Sequence, residues 1–258
     1  MNFSMSTDLK QITSQLVCEV TGKTPTEIVQ ILRGVMTWKF RATISTGEAF
    51  VLRFYPPGRE EVVEYEPDLL RRCAAAGIPV PHIEADSRTG PMAPHPYILY
   101  RLIEGEALAE LWPTMSAAAR IGVAEQVVEY LYRMSTIAVQ GYGDLLNAQQ
   151  ARYDSWYTFL HRSIEEGIET AAQYGILSQG LFADVASILD ALKRLVPGFN
   201  GGLVWGDVSP TNILVDRSGQ LMGLLDFEGA LAGDVVLNLG YCFASRYTSE
   251  FYRTIRSA

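Results

Sequence analysis

Cysteine and histidine are scarce in this chain of 258 residues, which contains three of each. The cysteines (Cys18, Cys73 and Cys242) lie far apart and form no C-x-x-C pair. This pattern argues against a structural zinc site and against a disulfide framework. Cys73 lies in an apolar stretch with helical spacing, and we predict that it is a buried core thiol.

Long apolar runs and a targeting segment are also missing. No apolar run approaches the roughly 18 residues that a membrane helix needs. The N-terminal stretch MNFSMSTDLKQITSQLV lacks the basic and apolar regions of a signal peptide. We therefore expect a soluble cytoplasmic protein with no membrane partner. The hydrophobic content of 48% is enough for a substantial core, in one large domain or two small lobes.

Positive charge is deficient in the second part of the chain. Residues 1–103 contain 11 basic and 11 acidic side chains, whereas residues 104–258 contain 10 and 18, so the second part carries the whole net charge of −8. Nucleic-acid binding needs a basic surface, and we predict no nucleic-acid partner. An acidic surface favours a cationic partner, although it is also common in proteins that are merely soluble.

The first hundred residues show mainly strand periodicity. Phe40, Ala42 and Ile44 alternate with polar neighbours, and the segment EAFVLRFYP follows after a short turn, which predicts an antiparallel hairpin. Residues 59–76 have helical spacing, and PYILYRLIEG reads as a further strand. The pattern thus predicts the order strand, strand, helix, strand after an N-terminal helical stretch.

Helical spacing dominates from residue 106 onward. Ser116 is a predicted N-cap for a helix over residues 117–136, and further helices are predicted over 153–177 and 180–195. Two short strands, NILVD and QLMGLLDF, follow. The change from strand to helix near residues 103–106 coincides with the change in charge. It predicts an N-terminal nucleotide-binding lobe over residues 1–103 and a C-terminal helical lobe over 104–258.

The strongest chemical signal combines Asp207, Asn212 and Asp226. Phosphoryl transfer needs a carboxylate beside the acceptor hydroxyl and oxygen ligands that hold Mg²⁺ against the triphosphate. An Asp followed five residues later by Asn, and then by a strand-borne Asp-Phe, is the arrangement of kinase catalytic and metal loops. The alternative is an ordinary loop, because Asp and Asn are common turn residues. The hairpin that follows and the pair Gly233-Asp234 favour the kinase arrangement.

These residues resemble a known family. The run WGDVSPTNILVD, the segment LDFE and the later Gly233-Asp234 are similar to the motifs of the aminoglycoside phosphotransferase family, in the protein-kinase-like superfamily. The resemblance implies an α+β fold of two lobes, with a small antiparallel-sheet N-lobe and a mainly helical C-lobe. It also implies that Asp207 is the catalytic base and that Asn212 and Asp226 bind Mg²⁺.

The resemblance extends to the first lobe and implies ATP as the other cofactor. Arg53 stands where the family has the basic residue that reaches the ATP phosphates. Glu66 would be its ion-pair acid, although Pro67 keeps Glu64 as a substitute, because proline is tolerated only in a first helical turn. The hinge strand that would hold the nucleotide base contains Tyr97, Leu99, Tyr100 and Leu102.

The acceptor is less well defined by the sequence. In the family it is often an aminoglycoside or another cationic molecule such as choline, held by acidic and aromatic side chains. The candidate acceptor-binding residues are Glu228, Trp156, Glu165 and Glu169. Glu165 and Glu169 share one helix face, which is more often solvated, and Trp156 could equally be a core residue.

The sequence therefore predicts an ATP- and Mg²⁺-dependent kinase that phosphorylates a hydroxyl of a small cationic molecule, such as an aminoglycoside antibiotic, with a role in resistance suggested by the resemblance. The alternatives are a metabolite kinase for choline, a sugar or an amino sugar, and a catalytically impaired nucleotide-binding protein. Three departures motivate the last: Trp205 at the usual His position, a single glycine (Gly34) in the phosphate-covering turn, and a chain end 32 residues after Asp226. ATP or GTP preference and oligomeric state are left open.

Overall fold

The computed structural model describes residues 3–32, 36–175, 184–185, 187–188, 191, 193–194, 201–243 and 250–258. The α-helices are α1 (Phe3–Thr21), α2 (Val62–Ala75), α3 (Leu108–Leu111), α4 (Ala117–Ser135), α5 (Trp156–Gln173), α6 (Val236–Phe243) and α7 (Glu250–Ser257). The strands are β1 (Pro25–Ile31), β2 (Trp38–Ile44), β3 (Ala49–Phe54), β4 (Ile83–Asp86), β5 (Tyr97–Arg101), β6 (Glu106–Ala107), β7 (Tyr142–Asn147), β8 (Gln150–Tyr153), β9 (Gly202–Val204), β10 (Ile213–Val215), β11 (Leu221–Leu224) and β12 (Leu231–Gly233). The helix predicted over residues 180–195 lies largely outside the described residues.

The first part of the chain forms a five-stranded antiparallel sheet in the order β1-β2-β3-β5-β4. Side chains alternate between its two faces because successive residues of a strand point in opposite directions. Phe40, Leu52, Phe54 and Leu99 are buried on one face in a cluster with helix α1. The opposite face carries the residues between them and turns toward the rest of the molecule.

A second, larger hydrophobic cluster joins helix α2 to the later elements. It includes Leu69 and Cys73 of α2, Ile98 of β5, and Trp205 and Phe227 from the second part. Two hydrogen bonds from Arg72 at the end of α2 reach the carbonyl oxygens of Ala138 and Ala148. Helix α2 is therefore fixed to both parts of the chain. Cys73 is fully buried, as predicted, and burial raises the pKa of its thiol to about 12.

Two small antiparallel sheets organise the second part. One has the order β8-β7-β12-β9 and the other the order β11-β10-β6. Strand β9 leads into Asp207, and the hairpin of β10 and β11 leads from Asn212 to Asp226. Helix α4 begins at the predicted cap, since the Ser116 hydroxyl accepts a hydrogen bond from the Ala119 amide at 3.2 Å.

The structure confirms the predicted hairpin, helix α2, helix α4 and the two late strands. It also contains strands that the sequence analysis did not predict: β1, β4, β6, β9, β12 and the hairpin of β7 and β8. The five-stranded sheet ends at Arg101, and β6 at Glu106–Ala107 already pairs with β10 of the second part. We propose that the lobes meet in this interval, where residues 103 and 104 were the predicted boundary. Within the described part of the chain, no helix is both long and apolar enough to cross a membrane.

Candidate active site

A tight loop after β9 carries Asp207. Gly206 has a φ of +83°, a conformation that side chains disfavour, and an added Cβ would overlap the carbonyl oxygen of Gly229. The close approach of these two loops therefore requires glycine. Asn212 Nδ2 donates a hydrogen bond to Asp207 Oδ2 at 2.8 Å, so the two predicted residues of the catalytic loop are in direct contact.

The loop that carries Asp226 is joined to the same place. The Leu225 amide donates to the carbonyl oxygen of Asn212 at 2.8 Å. Asp226 itself has a φ of +63°, the left-handed region that side chains other than glycine seldom adopt. Such a conformation costs on the order of 1–3 kcal/mol and is held by its surroundings. Asp207, Asn212 and Asp226 are thus brought together at one end of the β10–β11 hairpin.

Trp205 connects the loop that carries Asp207 to the loop that carries Asp226. Its side chain is fully buried, and its indole Nε1 donates to the carbonyl oxygens of both Leu225 and Asp226 at 3.1 Å. Its ring packs against Phe227, with 5.8 Å between the ring centroids. Histidine also carries a ring N–H donor. The tryptophan therefore retains a ring N–H at this position and uses it to fix the backbone of the Asp226 loop.

Asn238 of helix α6 supports the backbone that leads into Asp207. Its side chain is 1% exposed, and its Oδ1 accepts hydrogen bonds from the backbone amides of Trp205 at 3.0 Å and Gly206 at 3.3 Å. Buried backbone amides need such partners. An aspartate would offer the same acceptor oxygen at this position.

Arg53 is the centre of a buried ion-pair network. Its side chain is 4% exposed, and a buried charge is stable only when it is paired. Nη1 lies 3.0 Å from Glu66 Oε1, and Nη2 lies 3.0 Å from Asp226 Oδ1. Nη2 also contacts Glu228, whose second carboxylate oxygen is bound by Arg59. The guanidinium thus links strand β3 to helix α2 and to the Asp226 loop.

The network changes the acidity of its carboxyl groups in opposite directions. Burial opposes ionisation of Asp226, but Arg53 and Lys39 outweigh it and hold the pKa of this carboxyl below its usual value. Burial and the adjacent Asp226 carboxylate raise the pKa of Glu228, against the opposing effect of Arg53. Asp226 is therefore the more readily ionised of the two carboxylates, which suits a cation ligand.

Glu66, and not Glu64, is the acid that pairs with Arg53. Helix α2 begins at Val62, so Glu66 lies in its second turn, with Pro67 accommodated directly after it. Glu66 is 2% exposed, whereas Glu64 is exposed. The hydroxyl of Tyr55 donates to Glu66 Oε2 at 2.5 Å. The tertiary contacts thus settle the alternative that the sequence left open.

A cleft of about 450 Å³ lies between the five-stranded sheet and the second part of the chain. Its apolar lining side chains are Ile31, Val51, Leu102, Ile103, Leu214 and Leu225. Its charged and amide-bearing lining side chains are Lys39, Arg53, Asn212 and Asp226. An apolar cleft with a few convergent polar groups is the usual form of a small-molecule site, and this one has the size and polarity for a nucleotide.

Asp226 and Asn212 could hold a divalent cation at this cleft. A carboxylate and an amide oxygen are hard ligands of the kind that Mg²⁺ prefers. Because Asn212 Nδ2 is bonded to Asp207, its Oδ1 remains available as a ligand. The described residues contain no group of three or more His, Cys, Asp or Glu side chains arranged around a metal position. Such a sparse set fits Mg²⁺, which commonly keeps water and substrate phosphate as its other ligands.

A profile of the phosphotransferase enzyme family matches residues 27–258. The chain belongs to this family. It is therefore a phosphotransferase, an enzyme of the small-molecule kinase class, as the spacing of Asp207, Asn212 and Asp226 predicted. A search of curated protein sequences gives no match.

Solved structures show which fold the phosphotransferase adopts. The chain superposes on aminoglycoside phosphotransferase APH(4)-Ia with a TM-score of 0.72 and 19% identity, covering 96% of this chain and 81% of that one. For APH(2")-IIa the TM-score is 0.69 with 15% identity, covering 96% and 80%. For APH(2'')-Ib the values are 0.68 and 14%, covering 100% and 81%. These similarities confirm the predicted two-lobed, kinase-like fold.

Apart from Glu66, the predicted nucleotide-binding residues of the phosphotransferase form two groups, one in the lining of the cleft and one on the opposite sheet face. Arg53, Tyr100 and Leu102 line the cleft. Tyr97 and Leu99, by contrast, belong to the cluster beneath helix α1 on the opposite sheet face, and β5 is paired on both sides, so its backbone is used within the sheet. Tyr97 and Leu99 thus lie outside the lining of this cleft, and their contact with a nucleotide stays a prediction. The turn around Gly34 lies outside the described residues.

Three of the four predicted acceptor residues lie on helix α5, and the fourth, Glu228, lies beside Arg53. Both carboxylate oxygens of Glu228 are bound by arginines, and an acceptor role for this residue stays a prediction. Trp156 is 6% exposed and packs against Gly233 and stacks on Phe159, which makes it a core residue here. Glu165 contacts His161 and forms an ion pair with Arg162 on the same helix. Glu169 is exposed on the same helix. An acceptor role for these two glutamates stays a prediction.

The sequence analysis missed Lys39, which lines the cleft beside Arg53. Strands β2 and β3 pair with Lys39 opposite Arg53, so the two cations share one face of the sheet. The sequence signal was incomplete: the predicted turn at residues 45–48 would place Lys39 opposite Phe54, whereas in the structure Ile44 bonds to Glu48 across a shorter turn and Lys39 lies opposite Arg53. The contacts of Asn238 became visible only when α6 was placed beside the loop that carries Asp207.

We predict that replacing Asn238 lowers the free energy of unfolding when the new side chain lacks the acceptor oxygen. Asn238→Leu leaves the buried amides of Trp205 and Gly206 without a partner, at a cost of about 1–3 kcal/mol for each. Asn238→Asp keeps the acceptor and serves as the matched control. Urea unfolding of the three proteins measures the effect. Equal stability of the leucine variant and the wild type would show that this contact does not support the loop.

Proposed function

We propose that this phosphotransferase moves the γ-phosphoryl group of ATP, in the presence of Mg²⁺, to a hydroxyl group of a small cationic acceptor of the aminoglycoside type. The supporting observation is that Asn212 contacts both Asp207 and the Asp226 loop at the mouth of the nucleotide-sized cleft. One residue thus connects a candidate base to a candidate metal ligand, which is the positioning that phosphoryl transfer requires.

The proposed step follows from the placement of the side chains. Asp207 accepts the proton of the acceptor hydroxyl while the hydroxyl oxygen forms a bond to the γ-phosphorus. The bond between that phosphorus and the β,γ-bridging oxygen breaks, and ADP leaves with the electron pair. Mg²⁺ held by Asn212 and Asp226 supplies charge neutralisation at the phosphates when it is bound. Arg53, Tyr100 and Leu102 form part of the wall of the nucleotide site.

The choice of acceptor rests on two further observations. The second part of the chain carries the whole net charge of −8, which favours a cationic molecule. Structures with the same fold contain AMP-PNP with hygromycin B, ATP with streptomycin, and GDP with kanamycin. Each combines a nucleotide with an aminoglycoside.

A nucleotide-consumption assay with purified protein tests the proposal. Mg²⁺ with ATP or GTP is incubated with a panel of aminoglycosides, choline, sugars and amino sugars, and the release of ADP or GDP is measured. Turnover with an aminoglycoside supports the proposed acceptor, and turnover only with choline or a sugar would indicate a metabolite kinase. Thermal stabilisation by nucleotide without turnover for any acceptor would point to a catalytically impaired nucleotide-binding protein.

We predict that Asp207→Asn abolishes turnover and leaves nucleotide binding intact. The amide cannot accept the hydroxyl proton, and loss of a general base typically lowers kcat by about 10²- to 10⁴-fold. Nucleotide affinity should stay within about twofold, because Asp207 lies outside the lining of the cleft. Asp8→Asn, at an exposed position of helix α1, is the control. Unchanged turnover in the Asp207 variant would exclude this residue as the base.

We predict that Asp226→Ala removes the dependence of nucleotide affinity on Mg²⁺. Calorimetric titration of ADP, with and without Mg²⁺, should show tighter binding with the metal for the wild type and no difference for the variant. The metal-free affinity provides the internal control for folding and for the rest of the cleft. If Mg²⁺ strengthens binding equally in both proteins, Asp226 is not a metal ligand.

A further inference from the structure

Two cations stand side by side in the wall of the cleft. Lys39 of strand β2 and Arg53 of strand β3 are directly opposed in the antiparallel ladder, and both line the cleft. Directly opposed residues of a ladder project from the same face of the sheet with their Cβ atoms about 4.5–5.5 Å apart. The two side chains therefore reach the same end of the cleft, where Asp226 also lies.

The guanidinium of Arg53 is already committed to protein partners. Each of its nitrogens donates a hydrogen bond: Nε to Thr37, Nη1 to Glu66, and Nη2 to both Asp226 and Glu228. The side chain is 4% exposed. A phosphate group could bind Arg53 only by displacing carboxylates that are themselves buried, and an unpaired buried carboxylate is strongly unfavourable.

Lys39 differs from Arg53 in its contacts with protein groups. It has no hydrogen bond or ion pair with any residue that the structure describes, and it is only partly buried. Burial and the neighbouring Arg53 lower the pKa of its ammonium group, whereas Asp226, Glu228 and Glu66 act in the other direction. Lys39 is thus within electrostatic range of the network but is not a member of it.

A polyphosphate in the cleft needs a cation in addition to the arginines of the ion-pair network. Arg53 and Arg59 contribute two positive charges to this cluster, against the three carboxyl groups of Glu66, Asp226 and Glu228. A polyphosphate that entered the cleft would therefore meet a cluster without surplus positive charge, apart from its own metal ion. An ammonium group is a compact point charge on a flexible stem and binds phosphate well without a fixed geometry.

We propose that Lys39 provides the direct cationic contact to the nucleotide phosphates, and that Arg53 is a positioning residue that holds Glu66, Asp226 and Glu228 in place. This assignment rests on the proposed nucleotide-dependent function and specifies how the phosphates are recognised. It places the phosphate cation on β2, the strand before the one that carries Arg53.

Calorimetric binding of nucleoside, nucleoside diphosphate and nucleoside triphosphate tests the assignment. The wild type and Lys39→Met are titrated with adenosine, ADP and Mg²⁺-ATP, or with the guanosine series if the wild type prefers it. We expect Lys39→Met to weaken binding of the diphosphate and triphosphate by about tenfold or more, since a charge-assisted hydrogen bond is worth about 1.5–3 kcal/mol. Adenosine should bind equally to both proteins, which also shows that the variant is folded.

Two further variants separate charge at this position from general charge on the sheet. Lys39→Arg should recover most of the phosphate-dependent affinity. Arg41→Met is the matched control, because Arg41 lies two residues along the same strand, outside the lining of the cleft, and pairs with Glu27. It should bind all ligands as the wild type does. If Lys39→Met fails to fold, Lys39→Gln replaces it in the same comparison.

The outcomes distinguish the two proposals. If the wild type binds or consumes nucleotide and Lys39→Met shows unchanged diphosphate and triphosphate affinity, the Lys39 assignment is wrong and the proposed function stands. An equal loss for adenosine and ATP would likewise overturn it, because the residue would then support the whole cleft. If the wild type binds no nucleotide of either series, the proposed function fails and the assignment fails with it.

Discussion

The site depends on one buried guanidinium. Arg53 cannot remain charged at 4% exposure without partners, and its three carboxylates come from helix α2 and from a loop more than 170 positions later in the chain. Satisfying Arg53 therefore fixes α2 against the sheet and fixes the Asp226 loop beneath both. The left-handed backbone of Asp226 and the burial of Glu66 each accompany a carboxylate that neutralises Arg53.

The contacts that could be predicted from the sequence are those between residues in one loop or one hairpin. Asp207 and Asn212 are five positions apart in one loop, and a short hairpin brings Asp226 back beside them, so spacing and turn signals were sufficient. The choice between Glu66 and Glu64 could not be made in this way. Pro67 disturbed the local pattern, and only the contacts of Glu66 with Arg53 and Tyr55 decide the question.

The remaining differences come from sheet register and from long-range packing. Strand β1 is an edge strand with mixed exposure and lacks the clean alternation of β2. Tyr97 and Leu99 looked suitable for a binding strand, but their side chains belong to the buried face under α1. Glu228 looked like a free acid because its arginine partners, Arg53 and Arg59, precede it by more than 160 residues. None of these facts follows from composition or local periodicity.

Trp205 has a consequence for how the enzyme can be observed. Its indole is fully buried and its N–H is bound to the backbone carbonyl oxygens of Leu225 and Asp226. A tryptophan combines a large apolar ring with one polar N–H group, and here the N–H group is bonded to the backbone of the segment that carries Asp226. The chain therefore contains an intrinsic chromophore at the junction of the loops that carry Asp207 and Asp226, placed where its emission responds to the arrangement of the backbone around it.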